Sequence, residues 1–382
     1  MSRTTTTSVW RAADLARIRP SAVSATPVIR AADIVPMVAG WDVWDVGPVL
    51  TPMGQVASIG GSEIWLVLCA SAVGDPGARH DRARLRLVAR TAETWRDLGE
   101  LFPNGASLGS REWAGSAVYD EARETLDVLY TAVGGRDGSR PNFLQRIVST
   151  SARVVGTRKD VRLEDWSAHR EILSADGELY ESTEADHGEP GFIKAFRDPH
   201  PFRDPADGRE WLLFTGSKAH ARTAFNGAVG LAERDLDDSY RLEPPLLEAD
   251  GVNNELERPH LIAREGRYYL FFSTQHRTFA PKATGPTGLY GFVAQTFRGP
   301  YEPINGSGLV LRNPDEEPFQ AYSWLVLPDL SVASFVDAHS LAGRPFEEIT
   351  AAGPDAVRDH FGGTIAPILH LDLDGAKASI RR

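Results

Sequence analysis

The chain has 382 residues, 42 % of them apolar and 24 % charged, an ordinary globular composition that carries enough apolar mass for a sizeable core and excludes a disordered tail. With 52 acidic against 41 basic residues the formal net charge is −11, and no dense Lys/Arg run occurs, so the expected partner is a neutral small molecule, with no nucleic acid and no membrane surface. The single cysteine, Cys69, excludes an internal disulfide and lies in the apolar run Ile64-Trp65-Leu66-Val67-Leu68-Cys69-Ala70, where it reads as a buried thiol and takes redox chemistry off the list.

Taken in chain order, residues 1–23 contain arginines but no continuous apolar stretch of signal-peptide length, and nowhere do roughly 20 apolar residues run together. This predicts a protein without a cleaved export leader, working in the cytoplasm or exported by a route that needs none. Residues 1–35 read as an N-terminal extension packing on or flanking one catalytic domain within a single unit, 1–382. Helical periodicity is confined to 12–18, 91–101 and 352–360, too little to cover a parallel sheet.

Elsewhere, short runs rich in Val, Leu, Ile, Tyr, Phe and Trp alternate with Gly, Asp, Asn or Pro clusters, the mark of antiparallel strands joined by turns. Five units share a looser pattern in which a polar residue opens a strand and an aromatic-rich strand returns. They open at Trp44-Asp45, Trp113-Ala114-Gly115-Ser116, Arg197-Asp198-Pro199, Glu257-Arg258-Pro259 and Gln320-Ala321-Tyr322-Ser323, and return over 63–70, 126–132, 210–216, 267–273 and 330–336. Spacings of roughly 60 to 85 residues fit four-stranded blades with inserted loops, so the expected fold is all-β, a five-bladed propeller whose active site lies in the axial pocket. A β-sandwich with scattered polar turn residues fits the pattern as well. A closed propeller leaves no long open sheet edge, so a monomer is expected.

Three acidic residues carry the chemistry: Asp45 in Trp41-Asp42-Val43-Trp44-Asp45-Val46-Gly47, Asp198 in Phe196-Arg197-Asp198-Pro199-His200, and Glu257 in Glu255-Leu256-Glu257-Arg258-Pro259-His260. A retaining glycosidase needs one carboxylate as nucleophile and a second carboxyl as proton donor and then base, and a third can hold sugar hydroxyls whose bonds tighten in the transition state. Taken singly, each motif also fits a turn-forming Asp or a local Arg–Asp pair, and Trp44 and Trp113 fit core positions.

In this order the motifs resemble the levansucrase family, glycoside hydrolase family 68. The resemblance is carried by Val43-Trp44-Asp45, Arg111-Glu112-Trp113-Ala114-Gly115, Phe196-Arg197-Asp198-Pro199, Glu257-Arg258-Pro259-His260, Leu289-Tyr290-Gly291-Phe292-Val293, Gly299-Pro300-Tyr301, Gly306-Ser307-Gly308-Leu309 and Phe319-Gln320. It implies a five-bladed propeller, sucrose as donor, and sugar acceptors or water as acceptor. It also implies Asp45 as nucleophile, Glu257 as general acid/base and Asp198 as transition-state stabiliser. Arg197 and Arg258 would then bind hydroxyls, and Trp44 and Trp113 would wall the fructosyl subsite. His276, in Ser273-Thr274-Gln275-His276-Arg277-Thr278, would sit beside the leaving glucose or the acceptor, although a plain loop histidine fits too. Glu255 and Tyr322 are weaker candidates for that subsite.

The chain departs from the family pattern at Val46, where a hydroxyl residue is expected, and at Gly47, where a bulky one is. Thr215 stands where Glu is common, and Trp324 where His is usual. Some relatives hold a structural calcium at the places occupied here by Phe192 and Asn254, so no metal is expected, and no cofactor. Two further readings share the motifs: a related five-bladed glycosidase acting on another furanoside or fructan, and a catalytically silent carbohydrate-binding propeller.

Overall fold

Five sheets of antiparallel strands close into a ring, because the innermost strand of each sheet touches that of the next and the fifth touches the first. The innermost strands are Trp41–Pro48, Arg111–Asp120, Phe196–Arg203, Glu257–Arg264 and Ala321–Val326. This is the expected five-bladed propeller, not a sandwich. The computed structural model describes the chain except residues 1–6, 20–24, 93, 104, 136–141, 157–159, 185–187, 281–284 and 382, so parts of the expected N-terminal extension lie outside the described residues.

Position within a blade explains the sequence pattern. The second strands, Ser62–Ser71, Thr125–Val133, Glu210–Ser217, Arg267–Thr274 and Ser331–Ala338, are sandwiched between neighbouring blades and buried along most of their length. Both faces are therefore apolar, and the sequence shows runs such as Ile64 to Ala70 rather than strict alternation. The outer strand Thr94–Glu100 is mostly solvated and correspondingly polar.

That outer strand corrects one expectation. Residues 91–101 were expected to be helical because Trp95, Leu98 and Leu101 recur every third position. In the structure Arg84–Thr91 and Thr94–Glu100 pair as a hairpin. The pairing shifts between Leu87 and Val88, which face Gly99 and Asp97, so Leu98 is the extra residue of a β-bulge and a spacing of three mimics a helix. The other two expected helices form in part. Ala12–Leu15 is helical, and the C-terminal segment splits into Phe346–Ala351 and Pro354–His360 at Gly353, whose φ of 102° and following proline end one helix and start the next.

The N-terminal segment is bound to the ring. Ser8–Val9 adds a parallel strand to the edge of the third blade, and Trp10 is fully buried among Phe272, Phe279, Tyr290 and Phe292 of the fourth. Further along, Ile29 N donates to Gln320 Oε1 at 2.9 Å and Met37 N to Thr364 Oγ1 at 2.9 Å, both on the fifth blade. Where the fifth blade meets the first, Arg358 clamps the buried Asp42 with Nη1 and Nη2 at 2.7 and 2.9 Å.

Candidate active site

Each innermost strand breaks register where the sequence motifs fall: between Trp44 and Gly47, Trp113 and Gly115, Arg197 and His200, Glu257 and His260, and Tyr322 and Leu325. In four of these bulges one non-glycine residue has left-handed backbone: Asp45 (φ 47°), Asp198 (φ 61°), Arg258 (φ 50°) and Ser323 (φ 59°). Such a conformation costs of order 1–3 kcal/mol and persists only where surrounding bonds fix it, a pattern typical of active sites. The second blade's bulge has no left-handed residue; there Gly115 lets the neighbouring strand approach closely, since a Cβ would meet Leu129 O at 2.2 Å. The bulge turns consecutive side chains toward the axis, so Trp44, Trp113, Arg197, Glu257 and Tyr322 hold equivalent places in their blades and precede Asp45, Ala114, Asp198, Arg258 and Ser323.

The acidic groups gather around Arg197. Its Nη2 lies 2.8 Å from Glu257 Oε1 and 3.2 Å from Glu255 Oε1, and its Nε 3.7 Å from Asp198 Oδ2. Burial works against the Arg197 charge, but Glu255, Glu257 and Asp198 more than offset it, so the guanidinium stays charged. Burial pushes Asp198 up to about 6, opposed by Arg197 and by a hydrogen bond from Thr215, with Glu257 and Asp45 adding to the rise. Asp45 is likewise raised, chiefly by burial, against the pull of Arg258, a hydrogen bond with Ser323 and the charge of Arg79. Glu255 is raised by burial. Tyr322 donates its phenol to Glu257 Oε2, and burial together with the carboxylates around it keeps that phenol protonated.

Arg258 bonds to the first and fifth blades from the fourth. Its Nη2 donates to Val46 O at 3.0 Å and its Nη1 to Ser323 Oγ at 3.0 Å, so the guanidinium ties the Asp45 bulge to that of the fifth blade. Trp44 and Trp113 are both buried, with His80 between them at ring distances of 5.5 and 6.0 Å and Trp113 Nε1 donating to His80 O at 3.0 Å. His276 stands at the rim, its ring 5.0 Å from Phe319 and its Nε2 3.7 Å from Glu347 Oε1. The structure thus brings nine of the ten expected residues into one cluster and leaves His276 at its edge.

Sequence reasoning missed Arg79, His80 and Asp337. Burial and the charges of Arg79, Arg277, Arg197 and Arg111 hold His80 well below the usual imidazole range, so it is neutral. Arg79 lies 5.4 Å over the Trp44 ring and 3.7 Å from Asp337 Oδ1, and Asp337 is raised by burial against Arg79 and Arg277. Arg79 and His80 sit on the short 3-10 turn Pro76–Asp81, a charged loop with no periodicity to mark it.

The sequence matches the levansucrase/invertase family, glycoside hydrolase family 68, over residues 1–238 and 223–381. The chain belongs to that family. It is 32 % identical to a levansucrase of Pseudomonas savastanoi pv. glycinea over 98 % of this chain and 94 % of the relative, and 32 % identical to a levansucrase of Erwinia amylovora over 97 % and 94 %. Among solved structures, the inulosucrase of Halalkalicoccus jeotgali bound to kestose superposes with a TM-score of 0.92 at 37 % identity, covering 98 % of this chain and 95 % of that one. The Microbacterium saccharophilum K-1 β-fructofuranosidase superposes with a TM-score of 0.83 at 26 % identity over 98 % and 83 %.

The departures from the glycoside hydrolase family 68 pattern have structural accounts. Val46 is fully buried and contributes its carbonyl to Arg258, and Thr215 donates to Asp198 Oδ2 at 2.8 Å. Trp324 is buried against Tyr322, with ring centroids 6.0 Å apart. Gly47 helps line a small cavity of about 20 Å³ beneath Asp198 and Arg258. Below it a larger cavity of about 1040 Å³ opens at the opposite mouth of the ring, reached by His200, Ile262 and Val326 further along the innermost strands. Among its charged lining residues Arg123 pairs with Asp120 and Asp127, and Arg234 with Glu210 and Asp238. Among the described residues no group of three or more His, Cys, Asp or Glu side chains could hold a metal; Phe192 is exposed and Asn254 buried.

Proposed function

We propose that this family member cleaves sucrose by double displacement, with Asp45 as nucleophile, Glu257 as acid/base and Asp198 as stabiliser, and passes the fructosyl unit to a sugar acceptor or to water. The observation that carries the reading is the convergence of Asp198 and Glu257, from the third and fourth blades, on Arg197, with Asp45 of the first blade close enough to both carboxylates to affect ionisation. In the first step the Asp45 carboxylate attacks the anomeric carbon of the fructosyl unit, the glycosidic bond breaks, and Glu257 gives its proton to the departing glucose oxygen. In the second, Glu257 takes a proton from water or a sugar hydroxyl, whose oxygen attacks the same carbon and frees Asp45. Arg197 and Tyr322 fix the two oxygens of Glu257, which orients the proton to be transferred.

A silent carbohydrate-binding propeller is disfavoured, because the residues that depart from the family pattern next to the carboxylates, Val46 and Thr215, bond into the catalytic bulges rather than disrupting them. Incubation of the purified protein with sucrose, following free glucose and free fructose separately, tests the reading. Glucose released in excess of fructose is the expected result. Sucrose binding without glucose release would refute it.

A further inference from the structure

The residues paired with the first residue of each bulge fall into two classes. Trp113, Arg197 and Glu257 face Thr131, Thr215 and Ser273, whereas Trp44 and Tyr322 face Leu68 and Phe335. All three hydroxyl residues are buried, and each accepts a backbone N–H from the bulge of the next blade. Thr131 Oγ1 accepts from Asp198 N at 3.0 Å, Thr215 Oγ1 from Arg258 N at 3.0 Å, and Ser273 Oγ from Trp324 N at 2.9 Å. The same register position thus repeats one device across three successive blade junctions. Of the two junctions that lack it, the one between the fifth and first blades is bridged by Arg258, which reaches Val46 O and Ser323 Oγ.

Thr131 and Thr215 differ in where their own proton goes. Thr131 donates to Ala114 O at 3.0 Å, within its own blade. Thr215 donates to Asp198 Oδ2 at 2.8 Å, and so joins the strained Arg258 backbone to a carboxylate of the site. Arg258 N also reaches Asp198 Oδ2, at 3.3 Å, which makes a closed triangle of Thr215, Asp198 and Arg258 across two blades.

We propose that these hydroxyls are inter-blade clasps that position the catalytic bulges, and that Thr215 is a positioning residue which fixes the Asp198 carboxylate in its reactive orientation. The proposal rests on the activity given above. A neutral hydroxyl at this place adds no further charge to a cluster in which Arg197 already faces Asp198, Glu255 and Glu257, with Asp45 near Asp198. Because the Thr215 bond favours ionised Asp198, its loss drives the Asp198 pKa further up.

The test compares T215V, which keeps the side-chain shape and removes the hydroxyl, with T215S, which keeps the hydroxyl and removes the methyl. For T215V, kcat on sucrose should fall by about tenfold with KM changed less than about twofold, as for loss of a hydrogen bond to a charged group. The acid limb of its kcat/KM profile should move to higher pH. T215S should restore both kcat and the wild-type limb. Wild-type kcat and an unmoved limb in T215V overturn the proposal, and so does a T215S variant as impaired as T215V, which also decides the matter if T215V does not fold. A wild-type protein that releases no glucose overturns the activity itself, a result distinct from either.

Discussion

Arg197 on the third blade points Nη2 at Oε1 of Glu257 on the fourth, 2.8 Å away, so the Glu257 carboxyl is held by a side chain that its own strand does not supply. The same nitrogen lies 3.2 Å from Glu255, and Nε lies 3.7 Å from Asp198, so one buried cation balances three acids. Removing it would leave those carboxylates facing one another without compensation, which is costly in a buried site. Replacing Arg197 with Lys, which supplies one point charge in place of a fork, should lower kcat/KM by at least about a hundredfold. Steady-state kinetics on sucrose check this, and a loss of less than tenfold would mean that charge alone, not the fork, is what the site needs.

Asp45 and its near neighbour Asp42 have separable parts. Replacing Asp45 with Asn should abolish both hydrolysis and transfer while the protein still melts cooperatively. Asp42, three residues earlier on the same strand, is clamped by Arg358. Replacing Asp42 with Ala should leave turnover largely intact and lower stability by about 2 kcal/mol, as for loss of a partly buried ion pair. Glucose release and a thermal melt on both variants separate the two parts, and substantial turnover by the Asp45→Asn protein would move the nucleophile elsewhere.

Tyr322 can be tested with little change of shape. Phe at this position keeps the ring packing against Trp324 and Phe335 and removes the donor to Glu257 Oε2. The expected loss in kcat is about tenfold to a hundredfold, with a smaller change in KM. An unchanged kcat would show that Glu257 is oriented by Arg197 alone.

At the rim, His276 bears on partition rather than cleavage. Its ring packs on Phe319 beside Glu347, outside the carboxylate cluster. Replacing it with Ala should alter the ratio of transfer to hydrolysis more than it alters total sucrose consumption. Product analysis at matched conversion decides, and an unaltered ratio removes His276 from the acceptor side.

Glu112 provides a stability test independent of catalysis. Burial pushes its carboxyl up to about 7 although Leu85 N donates to it at 2.8 Å. Between the ordinary carboxylate value and about 7 the folded protein holds a proton that the unfolded chain has lost, so stability falls as pH rises through that window. Glu112→Gln keeps an acceptor for Leu85 N and cannot ionise. It should match the wild type near pH 4.5 and exceed it by up to about 3 kcal/mol above pH 8, as measured by denaturant unfolding. Equal stability at high pH would contradict the account.

The parts of this molecule legible in sequence are those where one residue type suffices. The blades were readable because a polar or aromatic side chain stands at the bulge of each innermost strand, and the second strands because burial on both faces forces continuous apolar runs. The outer strand Thr94–Glu100 was not, since a bulge at Leu98 gave it helical spacing. Arg79 and His80 were hidden because a loop carries no period, and they reach the site only through the folded path of Pro76–Asp81. Thr215 showed in sequence only as a departure from the family pattern, and its bond to Asp198 depends on register between strands, which no local pattern encodes.

The central claim is a covalent fructosyl-enzyme on Asp45, and trapping it is the most direct test. A Glu257→Gln protein lacks the base for the second step, so a β-fructosyl fluoride, whose leaving group needs no proton, should load the nucleophile and leave it loaded. Acid-quenched peptide mass spectrometry should then show one added fructosyl unit on the peptide containing Asp45. Donor turnover without any adduct, or an adduct on another residue, would contradict it.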